Sequence, residues 1–116
     1  MDKTQKQAFI RRIASLNLQE PRGSRILWSR HAITELLAEG LSRNQIERAL
    51  VDCEIVEDYP PLHRPLPDCL VLGWMEQTCP VHIVVALDVV KQRLLIITVY
   101  KPSAEEWEND WKTRKS

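Results

Sequence analysis

The sequence predicts an α+β domain in which helices come first, an antiparallel sheet follows and one helix closes the chain. The first half shows amphipathic helical patterns separated by turn residues, whereas the second half carries β-branched runs that alternate with period two. With 116 residues and 44% hydrophobic content, the chain can bury one core but not two. We therefore expect a single domain over residues 1–116, with residues 1–24 as a helical extension and residues 25–113 as the core.

The first helix is predicted over residues 3–16, because its apolar side chains form one stripe and its basic side chains lie largely off that stripe. Pro21 and Gly23 then break the helical pattern. A short strand is predicted next, at residues 25–28.

Two shorter helices follow, and capping residues mark their ends. Ser29 is a suitable N-cap for a helix over residues 31–39, and Gly40 stands where a left-handed residue must end that helix. Ser42 and Gln45 form a capping box for the third helix.

Four segments in the second half predict a three- to four-stranded antiparallel meander. Residues 54–59 and 69–75 flank residues 60–67, which cannot be regular structure because four of those eight residues are proline. Residues 80–88 and 93–101 are separated by a short connection, so they are expected to pair as an antiparallel hairpin.

A closing helix is predicted after Pro102. Ser103 and Glu106 form another capping box, and Trp107 and Trp111 stand one helical turn apart on its only apolar stripe. The two tryptophans are typical core anchors, and base-stacking platforms are the alternative interpretation.

Composition excludes several protein classes. The three cysteines are odd in number and form no Cys-x-x-Cys pair, which argues against a disulfide framework and a zinc knuckle. The three glycines are isolated and no histidine pair has metal-ligand spacing, so neither a cofactor nor a metal is expected. No apolar run approaches twenty residues and the start is polar, so we expect a soluble, cytoplasmic protein.

Charge is unevenly distributed although the formal net charge is zero. Residues 1–30 carry seven basic and two acidic side chains, whereas residues 31–60 carry seven acidic and two basic ones. A basic surface that attracts phosphates is one interpretation, and a solvated helix face is the other.

The hairpin gathers side chains that handle protons. Side chains of a strand alternate between its two faces, so His82 lies on the face away from the bulky apolar side chains of its strand. By the same alternation, one face of the next strand carries Leu94, Ile96, Thr98 and Tyr100. Directly opposed residues share a face, so His82 is expected across from Thr98 or Tyr100. Three interpretations of His82 stay open: a catalytic residue, an edge-on surface residue of the sheet, or a core histidine that Thr98 satisfies. Lys101 points to the other face, although its long stem could bend back.

Four motifs carry a resemblance to a known family. They are Ser29-Arg30-His31-Ala32, Leu70-Val71-Leu72-Gly73-Trp74, Pro80-Val81-His82-Ile83-Val84-Val85-Ala86, and Thr98-Val99-Tyr100-Lys101-Pro102 followed by Trp107. In this order, over residues 26–111, the chain resembles the small bacterial family called domain of unknown function 4258. The architecture of that family is similar to RelE-like and BrnT-like toxins, which belong with barnase and colicin D to the metal-independent ribonucleases.

The resemblance implies a toxin-type endoribonuclease of a toxin-antitoxin system, with RNA as substrate, free or on the ribosome, and an antitoxin protein as partner. No membrane partner is expected. Metal-free RNA cleavage needs a base for the 2′-hydroxyl proton, an acid for the leaving 5′-oxygen and a cation for the phosphorane. The candidate catalytic residues are His82, His31, Tyr100 and Arg64, and the candidate substrate-binding residues are Arg30, Thr98 and Lys101. His31 stands at a helix start, where a local hydrogen bond is the other interpretation.

Two further functions stay open. The turn at Gly40 between two short helices resembles a helix-turn-helix, which would make the protein a DNA-binding one. Glu47 and Asp52 argue against this, because they would place negative charge beside phosphates. The neutral net charge also suits a non-catalytic relative that only binds a protein partner.

Overall fold

The computed structural model describes residues 1–21, 24–61 and 65–116. These residues form helices on one side of a sheet, which confirms the predicted α+β class. The helices are α1 (Lys3–Gln19), α2 (Arg30–Ala38) and α3 (Arg43–Ala49), which continues into a 3-10 turn (Leu50–Asp52). The strands are β1 (Ile26–Trp28), β2 (Glu54–Asp58), β3 (Asp68–Met75), β4 (Cys79–Asp88) and β5 (Arg93–Tyr100). No helix among the described residues is long and apolar enough to cross a membrane.

The strands form one sheet in the order β1-β5-β4-β3-β2. Strands β2 to β5 make the antiparallel meander that the sequence predicts. Strand β1 adds a parallel edge beside the first part of β5, with Ile26 paired to Leu94. The sequence predicts this short strand but not its place in the sheet.

The predicted caps of α2 and α3 are present. The Ser29 side chain accepts a hydrogen bond from the Ala32 N–H, and Ser42 with Gln45 closes a full capping box. Gly40 follows α2 with φ +68°, the left-handed conformation that the sequence requires there.

One face of the sheet, the helix face, packs against all three helices. Its core draws on β3, β4, β5 and on apolar side chains of the helices such as Ile13, Leu36 and Ile46. At Gly73 a Cβ atom would lie 2.9 Å from the Ala49 Cβ, so only glycine lets α3 approach β3 this closely.

Lys6 differs from the prediction that the basic side chains of α1 lie off the apolar stripe. It is buried, and its ammonium group donates to the Asp58 carboxylate and to the Asp68 carbonyl oxygen at 3.0 Å. A buried lysine is tolerated only with such partners. Lys6 therefore ties α1 to the end of β2 and the start of β3.

A bulge at Ile97 changes the facing of part of β5. Strict alternation predicts Leu94 and Ile96 on the face of Tyr100, but both are fully buried in the core of the helix face. One extra residue inverts the facing of every residue beyond it. The prediction is therefore wrong for Leu94 and Ile96 and right for Tyr100.

The predicted C-terminal helix is wrong. The Ser103 carbonyl accepts hydrogen bonds from the Glu106 and Trp107 N–H groups, which makes a single turn. The chain then folds back, and Trp107 pairs with Arg114 as an isolated antiparallel bridge. We call residues 103–116 the C-terminal strap, and the sheet face that it partly covers the strap face.

Asp110 explains why the strap is not helical. Its carboxylate accepts hydrogen bonds from the backbone N–H groups of Lys112 and Thr113, at 2.9 and 3.0 Å. This local arrangement competes with helix formation. Trp111, inside the same turn, has φ +59°, which a helix does not allow.

Candidate functional site

His82 and Tyr100 are direct partners across β4 and β5, as strand parity predicts. The Tyr100 hydroxyl lies 3.1 Å from His82 Nδ1, and the two rings meet edge-on with centroids 5.2 Å apart. Thr98 pairs with Val84 instead, which is the next pair on the same face. Tyr100, and not Thr98, is therefore the hydrogen-bond partner of His82.

The C-terminal strap covers His82, which is 0% exposed. The Trp107 ring meets the imidazole edge-on with centroids 4.5 Å apart, and the Trp111 carbonyl oxygen lies 2.7 Å from His82 Nε2. Because a carbonyl oxygen only accepts, this network assigns the proton to Nε2, and Nδ1 accepts from the Tyr100 hydroxyl. Both ring nitrogens are thus engaged.

The environment of the pair keeps both groups uncharged near neutral pH. Burial lowers the pKa of His82, and it outweighs the hydrogen bond to the Trp111 carbonyl, which acts in the opposite direction. Burial also raises the pKa of Tyr100 to about 12. His82 is therefore a neutral imidazole with a fixed tautomer, and Tyr100 is a proton donor.

A carboxylate two strands away acts on this pair through its charge, which raises the pKa of His82. A bulge in β2 lets Glu57 pair with Leu70, so Glu57 lies on the strap face. The Arg114 guanidinium donates to its two oxygens at 2.8 and 3.1 Å, and the Tyr59 hydroxyl donates at 3.4 Å. The hydrogen bond from Arg114 is the main reason why the pKa of Glu57 is lowered, and the charge of His82, when protonated, lowers it further. We call Glu57, Tyr59, His82 and Tyr100 the His82 cluster.

Glu57, Tyr59 and Arg114 are not among the site residues that the sequence predicts. Strict alternation in β2 does not place Glu57 beside His82, because the bulge decides its facing. Arg114 is 57 residues away from Glu57 and lies in a segment predicted to be helical. The turn-forming pair Asn109 and Asp110 is the signal that argues against a helix there.

His31 does not join the His82 cluster. It lies on α2, on the helix face, and its side chain is 68% exposed. Its Nε2 atom lies 3.3 Å from the Glu35 carboxylate, one helical turn away, and Glu35 also accepts a hydrogen bond from the Val99 N–H. The local interaction that the sequence allows for His31 is the one observed.

The remaining candidates are dispersed. Arg30 is exposed in the first turn of α2, and Lys101 is exposed just after β5. Thr98 is half-buried on the strap face, next to the His82 cluster. Arg64 lies outside the residues that the structure describes.

Several basic side chains of the N-terminal region bind other parts of the fold. Arg11 donates to the Cys53 carbonyl oxygen at 2.8 Å, and Arg12 donates to the Gln92 side chain. Arg25 donates to two backbone carbonyl oxygens at the end of α1, each at 2.7 Å. With Lys6 buried, these side chains serve the fold.

The helix pair of the helix-turn-helix alternative is attached to the rest of the domain. The Glu47 carboxylate in α3 accepts hydrogen bonds from the Asn17 amide at 2.9 Å and from the Trp28 indole at 3.0 Å. These contacts hold α3 against α1 and β1. Glu47, whose negative charge argues against DNA binding, thus has a structural role.

Chemically reactive groups elsewhere are few within the described ranges. The Cys53 and Cys69 thiols are free and buried, and burial raises the pKa of each to about 12, which makes both poor nucleophiles. No three His, Cys, Asp or Glu side chains among the described residues gather into a set that could hold a metal ion.

A family model described as domain of unknown function (DUF4258) matches residues 28–101, more than half of the chain. The chain belongs to this family. The part that matches the DUF4258 family contains the whole His82 cluster, whereas α1 and the C-terminal strap lie outside it. No curated protein and no solved structure is similar enough to count as a match.

Proposed function

We propose that this DUF4258 protein is a metal-independent endoribonuclease of the toxin type, which acts on RNA in the cytoplasm. The observation that supports it best is the His82 cluster. It combines a carboxylate, a hydroxyl donor and an oriented imidazole on one sheet face. An antitoxin partner, a ribosome-bound substrate and a RelE-like fold relationship are predictions that belong to the same proposal.

The proposed reaction is attack of the RNA 2′-oxygen on the adjacent phosphorus, which breaks the bond to the 5′-oxygen. The Glu57 carboxylate takes the 2′-hydroxyl proton. His82 gives its Nε2 proton to the departing 5′-oxygen while Nδ1 takes the proton of Tyr100, so the imidazole stays neutral. The tyrosinate that forms then takes a proton from water, and the protonated Glu57 gives its proton to the hydroxide that this leaves, so the cluster returns to its starting state. The products are a 2′,3′-cyclic phosphate and a 5′-hydroxyl.

Phosphate binding in this scheme falls to cations beside the cluster. Lys101 follows Tyr100 directly and is exposed, so its ammonium group can reach a phosphate at the end of β5. Arg64, which lies outside the described residues, keeps its predicted role of a phosphate contact, whereas Arg30, on α2 at the helix face, is assigned none. His31, on the helix face, is assigned no proton transfer.

The experiment compares the purified natural chain with His82→Gln and Tyr100→Phe variants on defined RNA, with and without ribosomes and with a chelator present. We expect cut RNA to carry 2′,3′-cyclic phosphate and 5′-hydroxyl ends, and each variant to lose roughly 100-fold in rate. Glu105→Gln is the matched control, because Glu105 is exposed in the strap and outside the cluster.

The growth of cells that express each chain gives a second readout. We expect induction of the natural chain to arrest growth and the two cluster variants to be tolerated. If neither the natural chain nor a Lys112→Glu variant, in which the strap loses its ion pair to Glu54, cuts RNA or arrests growth, the ribonuclease proposal is wrong.

A further inference from the structure

The strap occupies the position that a substrate needs in the proposed reaction. The Trp111 carbonyl oxygen accepts a hydrogen bond from His82 Nε2 at 2.7 Å, and it thereby occupies the place that the departing 5′-oxygen needs. Trp107 covers the imidazole and is 2% exposed. The Arg114 guanidinium donates hydrogen bonds to both carboxylate oxygens of Glu57. In this arrangement no RNA can contact His82.

Two ion pairs hold the end of the strap to β2. Arg114 binds Glu57, and Lys112 binds Glu54 at 3.1 Å. The Lys112 and Glu54 side chains are 42% and 49% exposed, so water and salt screen their attraction. Backbone hydrogen bonds of the strap, such as Lys115 N–H to the Glu106 carbonyl, are internal to it. Apart from the buried Trp107 ring and the His82–Trp111 hydrogen bond, the strap is thus attached to β2 by side chains that can exchange with solvent.

We propose that the C-terminal strap is a displaceable cover of the His82 cluster, and that it must leave the strap face before RNA can bind there. The inference rests on the proposed function and names the regulation of its site. Trp107 is the anchor of the strap, and residues 108–116 are the part that the two ion pairs latch.

The ion pair between Arg114 and Glu57 also controls the basicity of Glu57. The Arg114 guanidinium holds the pKa of that carboxyl below its usual range, which makes Glu57 a weak base. Release of Arg114 removes the largest cause of this shift. Opening of the strap therefore uncovers His82 and makes Glu57 a stronger base in one step.

Exposure of His82 can be measured without RNA by modification with diethyl pyrocarbonate, followed by peptide mass spectrometry of the full chain. His31, which is 68% exposed at its side chain, is the internal reference in every sample. We expect His31 to be modified quickly and His82 slowly in the natural chain. The rate of His82 modification should rise as salt is added.

Two variants test the latch directly. Lys112→Glu replaces the attraction to Glu54 by repulsion, and we expect it to raise the His82 rate roughly threefold. Combining Lys112→Glu with Glu54→Lys restores an ion pair of opposite polarity, so the His82 rate should return to that of the natural chain. Both positions are exposed and outside the His82 cluster, so the fold should not change.

The outcomes separate the two proposals. If the His82 rate is the same in the natural chain, Lys112→Glu and the charge-swapped variant, the strap is not a latched cover and the inference is overturned. If Lys112→Glu uncovers His82 and also speeds RNA cleavage, both proposals are supported. If it uncovers His82 and no chain cuts RNA, the cover stands and the ribonuclease proposal fails.

Discussion

The two faces of the sheet are covered in different ways. The helix face buries apolar side chains of all five strands under three helices, and α3 approaches so closely that β3 needs Gly73. The strap face buries a histidine, and its cover is an irregular segment held by a tryptophan and by two ion pairs. One sheet thus carries an apolar core on one side and a polar contact on the other.

This difference has an energetic consequence. Apolar burial is not weakened by salt and disappears only when the core opens. Exposed ion pairs contribute little and respond to salt, and a buried imidazole responds to pH. The helix face should therefore set the stability of the domain, whereas the strap face should respond to solution conditions. Three substitutions test this contrast.

Truncation of the helix-face core should have the largest effect. Ile83 is fully buried in the middle of β4, so Ile83→Ala should lower the free energy of unfolding by about 2–5 kcal/mol. Urea unfolding followed by circular dichroism measures this change. Val90→Ala is the control, because Val90 is 93% exposed in the β4-β5 turn and should change stability by less than about 0.5 kcal/mol. Equal losses at the two positions would contradict the proposed core.

Truncation of Trp107, the anchor of the strap, should lower the free energy of unfolding less than truncation of the core does, although its side chain is larger than that of Ile83. Trp107→Ala should lower the free energy of unfolding by less than about 3 kcal/mol, the lower bound for tryptophan in a closed core, because the strap can detach while the sheet stays folded. Urea unfolding gives the loss, and the rate of His82 modification by diethyl pyrocarbonate reports whether the strap has left the sheet. A loss as large as that of Ile83→Ala would make the strap part of the core.

The sequence predicts the features that depend on near neighbours. Ser29, Gly40 and Ser42 act within their own turns, so their roles follow from residue type and spacing. The pairing of His82 with Tyr100 follows from strand parity and from a short connection. These features need no knowledge of the rest of the fold.

The features that the sequence does not predict depend on distant partners. The bulge at Ile97 lets Leu94 and Ile96 enter the core, and packing rather than local pattern selects it. The same holds for the bulge in β2 that turns Glu57 toward the strap. Arg114 meets Glu57 only because the strap folds back, and the capping box at Ser103 favours the wrong local structure.

The smallest effect concerns His82 and pH. Burial lowers the pKa of His82 in the folded chain below the value of about 6.5 that an unfolded histidine has. Between these two values the unfolded chain binds more protons, so stability is fully present above about pH 6.5 and falls as pH drops toward the folded pKa. Each unit between the two pKa values corresponds to about 1.4 kcal/mol.

His82→Gln should flatten this dependence, because an amide can contact Tyr100 and the Trp111 carbonyl without titrating. The measurement is urea unfolding of both chains at several pH values between 7 and 5. Glu57 and Arg114, the charged groups facing His82, stay charged in this range because the pKa of Glu57 is lowered and that of Arg114 is raised. If the natural chain kept a constant stability from pH 7 to 5, His82 would not be buried as a neutral group. The strap would then fail as its cover, and the contrast between the two faces would be lost.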